Sequence, residues 1–448
     1  MNDTICALAT ATGGAIGIIR VSGANAISIT DNIFSKSLTN AIPQTIHYGE
    51  ITDSENNTID DVLVSVFRTP HSYTGEDCTE ISCHGSRYII SKILERLIQN
   101  GCRQAKPGEY TQRAFLNGKM DLSQAEAVAD LIAATNKATH KIALGQLRGN
   151  FSNELAELRS QLLKITSMLE LELDFSDQDV NFADRSQLLQ LAEQIDNRIT
   201  TLAHSFETGK ALKEGIPVAI IGKTNVGKST LLNQLLHEDK AIVSNIHGTT
   251  RDVIEDTTQI NGITFRFIDT AGLRHTNDEI EQLGIERTYK KLDEAAIVLW
   301  LIDTTPTDEE TKEIKVKTDE KKLIIVENKI DKEENITLSE PSFTNTIRIS
   351  AKFGTNIKAL ETAIYKASDI PEITANDVIV TNARHYDALK RSHQSICRVI
   401  EGLNTGLSGD FLSEDLRDSI HILAEIVGGE VTTDEILGNI FSHFCIGK

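Results

Sequence analysis

The sequence lacks the features that mark secreted and membrane proteins. Its six cysteines are scattered over 448 residues without a CxxC pair, which argues against a disulfide framework or a zinc ribbon and favours reduced thiols in a cytosolic compartment. Residues 1–12 have no basic segment ahead of a long apolar stretch, so we expect no signal peptide. The longest strongly apolar run, 295–302, is far shorter than the roughly 18 residues of a membrane span. We therefore expect a cytoplasmic protein that does not enter a membrane.

Positive charge is also in short supply. Lys and Arg total 45 against 65 Asp and Glu, a formal net charge of -20. This balance opposes tight, nonspecific coating of nucleic acid but allows a small basic groove or a basic protein partner. Hydrophobic residues make up 40% and charged residues 25% of the chain, which excludes wholesale disorder. The length is that of about three domains.

The apolar pattern divides the chain into four segments. Residues 1–117 mix short strand-like runs with glycine turns, which indicates a small α+β domain, and residues 118–212 have helical periodicity. Residues 213–371 alternate strands with helices, which predicts a mainly parallel sheet, and residues 372–448 are helical again. We expect the two helical segments to pack together as one discontinuous domain, into which the α/β segment is inserted.

Shorter runs predict individual elements. Leu and Ile at alternating steps of three and four form an apolar stripe over 155–169, which we interpret as bundle core rather than as a separate coiled-coil partner site. With the periodic stretch 188–202 it predicts two antiparallel helices. The predicted strands are 17–21, 62–67, 218–221, 265–268, 297–302 and 323–326, and the other predicted helices are 89–98, 230–236, 383–403, 413–427 and a short one capped at 433–435.

Residues 222–229, GKTNVGKS, match the phosphate-loop pattern GxxxxGK[ST]. The match follows a predicted strand and precedes a predicted helix, which is the context that this motif requires. Glycines let the backbone curl so that its N–H groups face phosphate oxygens, and the helix N-terminus adds positive potential. Lys228 is expected to reach the β and γ phosphates, and Ser229 to offer its hydroxyl to Mg²⁺.

Four further motifs follow in the order that a guanine-nucleotide switch requires. Thr249 and Thr250 can complete Mg²⁺ coordination and sense the γ phosphate, and 269–272, DTAG, places an aspartate near the Mg²⁺ shell. In 328–331, NKID, the carboxylate can accept hydrogen bonds from guanine N1 and N2, and 350–352, SAK, closes the base pocket. Each motif alone could also be an ordinary surface turn, but the five motifs in this order predict a GTP-hydrolysing domain.

The residue that orients the attacking water is not evident from these motifs. In Ras-like switches a Gln directly follows DTAG, but here Leu273 occupies that position. The segment that follows contains four acidic residues. Each of them taken alone is better explained as an exposed residue at the start of a helix than as the water-orienting group, and composition does not choose among them. No arginine is obviously aimed at the γ phosphate. The four acids are Asp278, Glu279, Glu281 and Glu286.

Several motifs together resemble the MnmE (TrmE) family of tRNA modification GTPases. The resemblance runs the whole length of the chain, and the closing CIGK is its most specific part. Switch GTPases of ribosome assembly share the nucleotide motifs without that tail and are the alternative. The matching motifs are 72–77 (SYTGED), 115–119 (FLNGK), Asn225, 248–252 (GTTRD), 269–274 (DTAGLR) and 444–448 (FCIGK).

The resemblance implies a tetrahydrofolate-binding and dimerising N-terminal domain, a discontinuous helical domain and an inserted G domain. It implies a heterotetramer with an MnmG-like flavoprotein that carries FAD and NADH. Together the partners would add a carboxymethylaminomethyl or aminomethyl group to C5 of the tRNA wobble uridine. The carbon would come from a methylene-tetrahydrofolate, with a 5-formyl or methylene derivative bound by this chain.

The resemblance also implies roles for individual residues. A K⁺ ion would supply the charge that an arginine finger supplies elsewhere, Glu281 would orient water, and Cys445 would lie near the folate one-carbon unit, as a nucleophile or only structurally. The K⁺ ligands would be Asn225, Ser244, Ile246 and Thr249, the Mg²⁺ ligands Ser229 and Thr250, and the folate-binding residues Arg20, Glu80, Lys119 and Lys448. The full nucleotide-binding set would be Asn225, Val226, Gly227, Lys228, Ser229, Thr230, Ser244, Asn245, Ile246, His247, Gly248, Thr249, Thr250, Asp269, Thr270, Ala271, Gly272, Asn328, Lys329, Ile330, Asp331, Ser350, Ala351 and Lys352.

One segment departs from the family pattern. The family has an Arg-containing glycine turn before the first predicted strand, whereas residues 10–14 read TATGG, which is shorter and has no cation. Folate contacts or dimer packing at this edge are therefore expected to differ. The glycines of 13–17 do not have the GxGxxG spacing, so no NAD site is expected on this chain.

Overall fold

The computed structural model describes residues 3–174, 185–236, 256–268, 294–318, 322–332, 346–371, 373–374, 377–429, 434–442, 444 and 447. The chain divides into two compact units. The first consists of Met1–Ile132, Gly145–Ile199 and Asp387–Lys448, and the second of Ala133–Leu144 and Thr200–Tyr386. Each unit contains one six-stranded sheet within the described residues.

The sheet of the first unit has the order β3-β4-β5-β2-β1-β6 and is antiparallel except where β1 pairs with β6. Val62, Val64 and Val66 alternate inward along β4, and α2 packs over this buried face. The predicted α+β domain is therefore confirmed. Its elements are β1 (Ile5–Leu8), β2 (Ile16–Ser22), α1 (Ala26–Asp31), β3 (Thr45–Thr52), β4 (Thr58–Phe67), β5 (Cys78–His84), α2 (Arg87–Gln99), β6 (Arg103–Gln104) and α3 (Glu109–Leu116).

Within the described residues, four helices follow this sheet before the next strand. The predicted stripe of Leu and Ile is confirmed, because all five side chains are at most 2% exposed. The helices are α4 (Leu122–Ala133), α5 (Lys137–Leu147), α6 (Asn150–Asp174), which carries the stripe, and α7 (Arg185–Glu214).

The sheet of the second unit has the order β12-β11-β10-β7-β9-β8 and is parallel except for the β8–β9 pair, as the alternating pattern predicted. Every residue of the central strand β10 is buried, because both faces of a parallel sheet are covered. The elements are β7 (Ile216–Ile221), α8 (Lys228–Leu236), β8 (Asp256–Ile260), β9 (Ile263–Phe267), β10 (Ile297–Ile302), α9 (Asp308–Lys317), β11 (Lys322–Glu327), β12 (Thr346–Arg348) and α10 (Ile357–Ala367).

Three more helices complete the described chain. These are α11 (Ala383–Thr405), α12 (Gly409–Val427) and α13 (Asp434–Ser442). In the first unit α12 packs along α6, so the helical segments on the two sides of the inserted sheet do pack together, as predicted. The predicted cap at 433–435 begins outside the described residues. Among the helices that can be described, none has both the length and the apolarity needed to cross a membrane.

Candidate functional site

The phosphate loop follows β7 and ends where α8 begins. Gly222, Asn225 and Gly227 all have positive φ, of 148°, 60° and 103°. A Cβ at Gly222 would lie 2.3 Å from the carbonyl oxygen of Leu301, and one at Gly227 would lie 2.4 Å from Nδ2 of Asn328. Both glycines are therefore required by close packing as well as by backbone conformation. The tight loop at a helix N-terminus forms the kind of site that binds phosphate.

Lys228 lies against this loop. Its Nζ donates to the carbonyl oxygens of Gly222 at 2.6 Å and of Lys223 at 2.7 Å. A phosphate oxygen is a charged acceptor and forms a stronger hydrogen bond with an ammonium group than a neutral carbonyl does. The lysine is therefore positioned to exchange these carbonyls for the phosphates of a nucleotide. Ser229 follows it in the first turn of α8, as a Mg²⁺ ligand at this loop requires.

Asn328 joins three of the predicted motifs. Its side chain is buried; Nδ2 donates to the carbonyl oxygen of Val226 at 2.8 Å, and Oδ1 accepts from the amide of Ala351 at 2.9 Å. Its own amide donates to the carbonyl of Ile302 at 2.8 Å, which extends the pairing with β10 by one residue beyond the end of β11. The phosphate loop and the two base-pocket motifs are thus connected through one amide side chain. The sequence motifs had assigned Asn328 to the nucleotide site without this structural role.

Lys329 makes a second connection to the phosphate loop. It has φ of 66°, and its Nζ donates to the carbonyl oxygen of Asn225 at 2.8 Å and to Oδ2 of Asp303 at 2.5 Å. Asp303 was missed by the sequence reasoning. The signal that could have found it is its place directly after the buried strand β10, since ligand-binding residues collect at the carboxyl ends of parallel strands.

Asp331 is held by the other base-pocket motif. Ser350 donates from Oγ to Oδ1 of Asp331 at 2.7 Å. This hydrogen bond, together with nearby Lys352 and Lys332, holds the pKa of Asp331 below its usual range. The carboxylate therefore stays ionised at neutral pH, and its acceptor capacity suits the N1 and N2 donors of guanine.

The structure brings together the described part of the predicted nucleotide site: the phosphate loop, the NKID motif and the SAK motif. Of the predicted K⁺ ligands only Asn225 is described. The predicted nucleotide and hydrolysis residues that lie outside the described residues are Ser244, Asn245, Ile246, His247, Gly248, Thr249, Thr250, Asp269, Thr270, Ala271, Gly272 and Glu281.

A second group of predicted residues lies on the sheet of the first unit. Arg20 on β2 is directly opposite Glu80 on β5, and its Nε and Nη2 are both 2.9 Å from Oε1 of Glu80. The Arg20 guanidinium carbon is 5.2 Å from the ring centroid of Tyr73 and 5.6 Å from that of Tyr110, both within cation–π range. We refer to these four residues as the Arg20 cluster. Tyr73 and Tyr110 were not predicted, although Tyr73 belongs to the quoted motif 72–77.

Other segments border the Arg20 cluster. Nη1 of Arg20 donates to the carbonyl oxygen of Gly447 at 3.4 Å, and a Cβ at Gly447 would lie 2.2 Å from the carbonyl oxygen of Leu8. Lys119 donates from Nζ to the carbonyl of Pro70 at 2.9 Å, in the loop that carries Tyr73. Arg20, Glu80 and this loop are thus neighbours, whereas predicted Cys445 and Lys448 lie outside the described residues.

The departing turn at 10–14 lies between β1 and β2. Oγ1 of Thr10 accepts from the amide of Ile18 at 3.2 Å, and the amide of Ala9 donates to the carbonyl of Ile18 at 2.7 Å. The threonine hydroxyl therefore extends the β1–β2 pairing into this turn. The turn is shorter than the family's loop and has no cation.

Related proteins match this chain over its whole length. The sequence profile described as the MnmE helical domain matches residues 122–445, and that of the GTP-binding protein TrmE N-terminus matches residues 4–119. The tRNA modification GTPase MnmE of Bacteroides thetaiotaomicron is 58% identical over 464 residues, which cover 100% of this chain and 99% of that protein. The protein of the same name from Parabacteroides distasonis is 56% identical over 461 residues, with 100% of both chains covered. The solved G domain of the T. maritima FeoB iron transporter is 24% identical, covers 34% of this chain and 99% of its own, and has a TM-score of 0.26.

Proposed function

This chain belongs to the MnmE (TrmE) family of tRNA modification GTPases, and on that premise we propose that it is the GTP-hydrolysing component of a complex that modifies C5 of the tRNA wobble uridine. The observation that carries the proposal is the joined guanine site, in which Asn328 connects the phosphate loop to the base pocket, in a chain that matches the family from end to end. The product would be the carboxymethylaminomethyl or aminomethyl uridine.

The chain is a GTPase, and its own residues account for how it holds the nucleotide. Asp331 selects guanine, because its ionised carboxylate accepts from two donors that adenine does not present in that arrangement. The turn between Gly222 and Gly227, with Lys228, fits the phosphates. A bound Mg²⁺ ion would be held by Ser229 and Thr250 and would neutralise charge on the phosphate oxygens.

We assign hydrolysis to the family's ion-assisted arrangement. Asn225, Ser244, Ile246 and Thr249 would hold K⁺, and Glu281 would orient water; the left-handed backbone of Asn225 within the phosphate loop is compatible with that role. GTP turnover should rise sharply when K⁺ replaces Na⁺, and Glu281→Ala should lower turnover while sparing GTP affinity. Glu279→Ala is the matched control in the same acidic run. Equal rates in both salts would discard the K⁺ assignment.

The Arg20 cluster supports the folate part of the proposal. A guanidinium between two aromatic rings, paired with a carboxylate and near Lys119, offers cations for the carboxylates of a folate tail and an acceptor for the donor edge of a pterin ring. We assign Arg20, Glu80, Lys119 and Lys448 to this site and place Cys445 near the one-carbon unit of the folate.

The proposed partners follow from the family. They are tRNA, a second copy of this chain through the N-terminal domain, and an MnmG-like flavoprotein that carries FAD and NADH.

Mass spectrometry of wobble nucleosides tests the proposed function. In tRNA from a strain that lacks the gene, the C5-aminomethyl-type nucleosides should be absent, and the wild-type gene should restore them. Genes with Glu281→Ala or Cys445→Ser should not. Unchanged wobble uridines in the deletion strain would overturn the proposal. The protein would then be a GTPase that acts in a process other than this tRNA modification.

A further inference from the structure

A three-residue cluster in the first unit is used neither by the nucleotide site nor by the Arg20 cluster. Asp196 on α7 and His393 on α11 form a pair in which Oδ1 and Nδ1 are 2.6 Å apart. Cys397 is one helical turn after His393, with Sγ 3.7 Å from Nδ1 and 3.6 Å from Nε2. The carboxylate oxygen, the imidazole nitrogen and the sulfur all lie within 4.8 Å of one another.

The separation of Sγ from Nδ1 is close to that of two ligand atoms that share one zinc ion. Zn²⁺ binds Cys sulfur at about 2.3 Å and His nitrogen at about 2.0–2.1 Å in a tetrahedral arrangement, so the two ligand atoms are about 3.5 Å apart. The Sγ–Nδ1 distance of 3.7 Å is close to this value, and a rotation of the Cys397 side chain away from Nε2, which is 3.6 Å from Sγ, would bring the sulfur into line with an ion bound at Nδ1. An ion that replaced the shared proton of the Asp196–His393 hydrogen bond would have three donors from two helices, after a small separation of those two side chains and a rotation of the Cys397 side chain.

We propose that Asp196, His393 and Cys397 bind a divalent transition metal ion of the zinc class, which links α7 to α11. Thiolate and imidazole ligands select such ions over Mg²⁺ and Ca²⁺, which prefer oxygen. The site is reachable, because the side chains of His393 and Asp196 are 38% and 20% exposed and Cys397 is exposed. With three protein ligands, the fourth position is filled by water.

The spacing explains why sequence patterns did not reveal this site. His393 and Cys397 are four residues apart and therefore share one face of α11, but the third donor comes from a helix almost 200 residues earlier. The Asp196–His393 hydrogen bond would orient these two side chains equally well without any metal, so the thiol is the part that distinguishes a metal site from a simple ion pair. The experiment therefore centres on Cys397.

Cobalt provides the direct test, because a thiolate bound to Co²⁺ gives a near-ultraviolet charge-transfer absorption that oxygen and nitrogen ligands do not give. Full-length protein that has been freed of transition metals and then saturated with Mg²⁺ and GDP is titrated with Co²⁺. The wild type should develop this absorption with one equivalent of Co²⁺. Cys397→Ser should abolish it, and Cys445→Ser, the control for another thiol, should retain it. The other four cysteines that the structure describes are buried.

Competition and melting complete the test. Zn²⁺ should displace Co²⁺ from the wild type. It should also raise the melting temperature, since an ion that binds the native state stabilises it. Asp196→Asn removes a direct ligand and should weaken Co²⁺ binding by more than the roughly 10–100-fold found when an outer-shell partner of a metal ligand is replaced. A wild type without the thiolate absorption, or Cys397→Ser protein that keeps it, would overturn the proposal, provided that circular dichroism shows both proteins folded.

Discussion

The nucleotide site and the Arg20 cluster hold their functional groups in different ways. The nucleotide site is made of loops, and one buried neutral amide, that of Asn328, connects them. The Arg20 cluster is built around opposite charges on adjacent strands, brought together by the register that pairs Arg20 with Glu80. A loop site therefore depends on its connecting side chain for its shape. A sheet site keeps its frame when a side chain is replaced, because the backbone pairing remains.

Replacing the connecting amide should have the largest effect. Asn328→Ala leaves the Val226 carbonyl and the Ala351 amide without their partner, at a cost of about 1–3 kcal/mol for each buried group. We expect a large drop in the urea midpoint of the nucleotide-free protein and weak GDP binding. The control is Asn233→Ala on the exposed face of α8, which should change stability by less than about 0.5 kcal/mol. Equal urea midpoints for the two variants would contradict the connecting role.

Changing the base-reading carboxylate should have a large effect on binding and a small one on folding. Asp331→Asn replaces an acceptor for two guanine donors with an amide. Charged hydrogen bonds contribute about 1.5–3 kcal/mol each, so GDP affinity should fall at least about 100-fold. Xanthosine diphosphate, which presents an acceptor in place of the exocyclic amine, should bind this variant better than the wild type. Fluorescence competition with both nucleotides measures the switch, and a parallel loss of both ligands would refute base reading by Asp331.

The sheet site offers the matched experiment. Arg20→Lys keeps the charge but loses the planar group between Tyr73 and Tyr110. We expect the affinity for 5-formyl-tetrahydrofolate, measured by calorimetry, to fall by about tenfold or more, whereas the urea midpoint stays near that of the wild type. If Arg20→Lys instead unfolds as readily as Asn328→Ala, the contrast between the two kinds of site is wrong.

Acid should destabilise the first unit, and we expect this effect to be smaller than those of the three substitutions above. In the first unit Glu109 is buried; burial raises its pKa, but hydrogen bonds from Arg103, the Lys106 amide and Arg113 outweigh this, and the pKa lies below the usual value. The pKa of Asp3 is lowered chiefly by its hydrogen bond with Arg103. Stabilisation by groups with lowered pKa is complete above their unfolded-state values and is lost as pH falls through the folded-state values.

The free energy of unfolding of the first unit should therefore decline below about pH 4.5, the ordinary range of a glutamate carboxyl. Hydrogen exchange at β1 and α3, followed against pH, measures this decline region by region. Glu109→Gln should flatten the dependence. A decline of the same size in that variant would assign the acid sensitivity to other carboxylates.

Most of the fold was predictable because its signals are local. The phosphate loop, the apolar run that forms β10 and the apolar stripe of α6 can each be recognised from a short stretch of sequence. Strands β1, β3, β5, β6, β8 and β12 were missed; the sequence of β8, DTTQI, is mostly polar, and β6 and β12 have only two and three residues. Short or polar strands form because a neighbouring strand pairs with them, which no local window contains.

The sites divide in the same way. Motif residues such as Lys228 and Asp331 were found from contiguous patterns. The pairing of Arg20 with Glu80 depends on register between strands 60 residues apart, and the contacts of Tyr110 with Arg20 and of Asp303 with Lys329 depend on how the chain folds back on itself. Long-range register and packing are properties of the fold, so Arg20 and Glu80 were suggested only through the family resemblance, and Tyr110 and Asp303 were missed.

The double role of Asn328 affects how variants of this protein should be scored. Consider a variant library in which cellular abundance is measured separately from GTP hydrolysis. Substitutions at Asn328 should lower the abundance of the protein, as substitutions of buried core residues such as Leu299 do. Substitutions at Asp331, whose carboxylate is exposed, should score as abundant but inactive. An abundance screen alone would therefore classify one half of the NKID motif as structural, and an activity screen alone would make the two positions look alike.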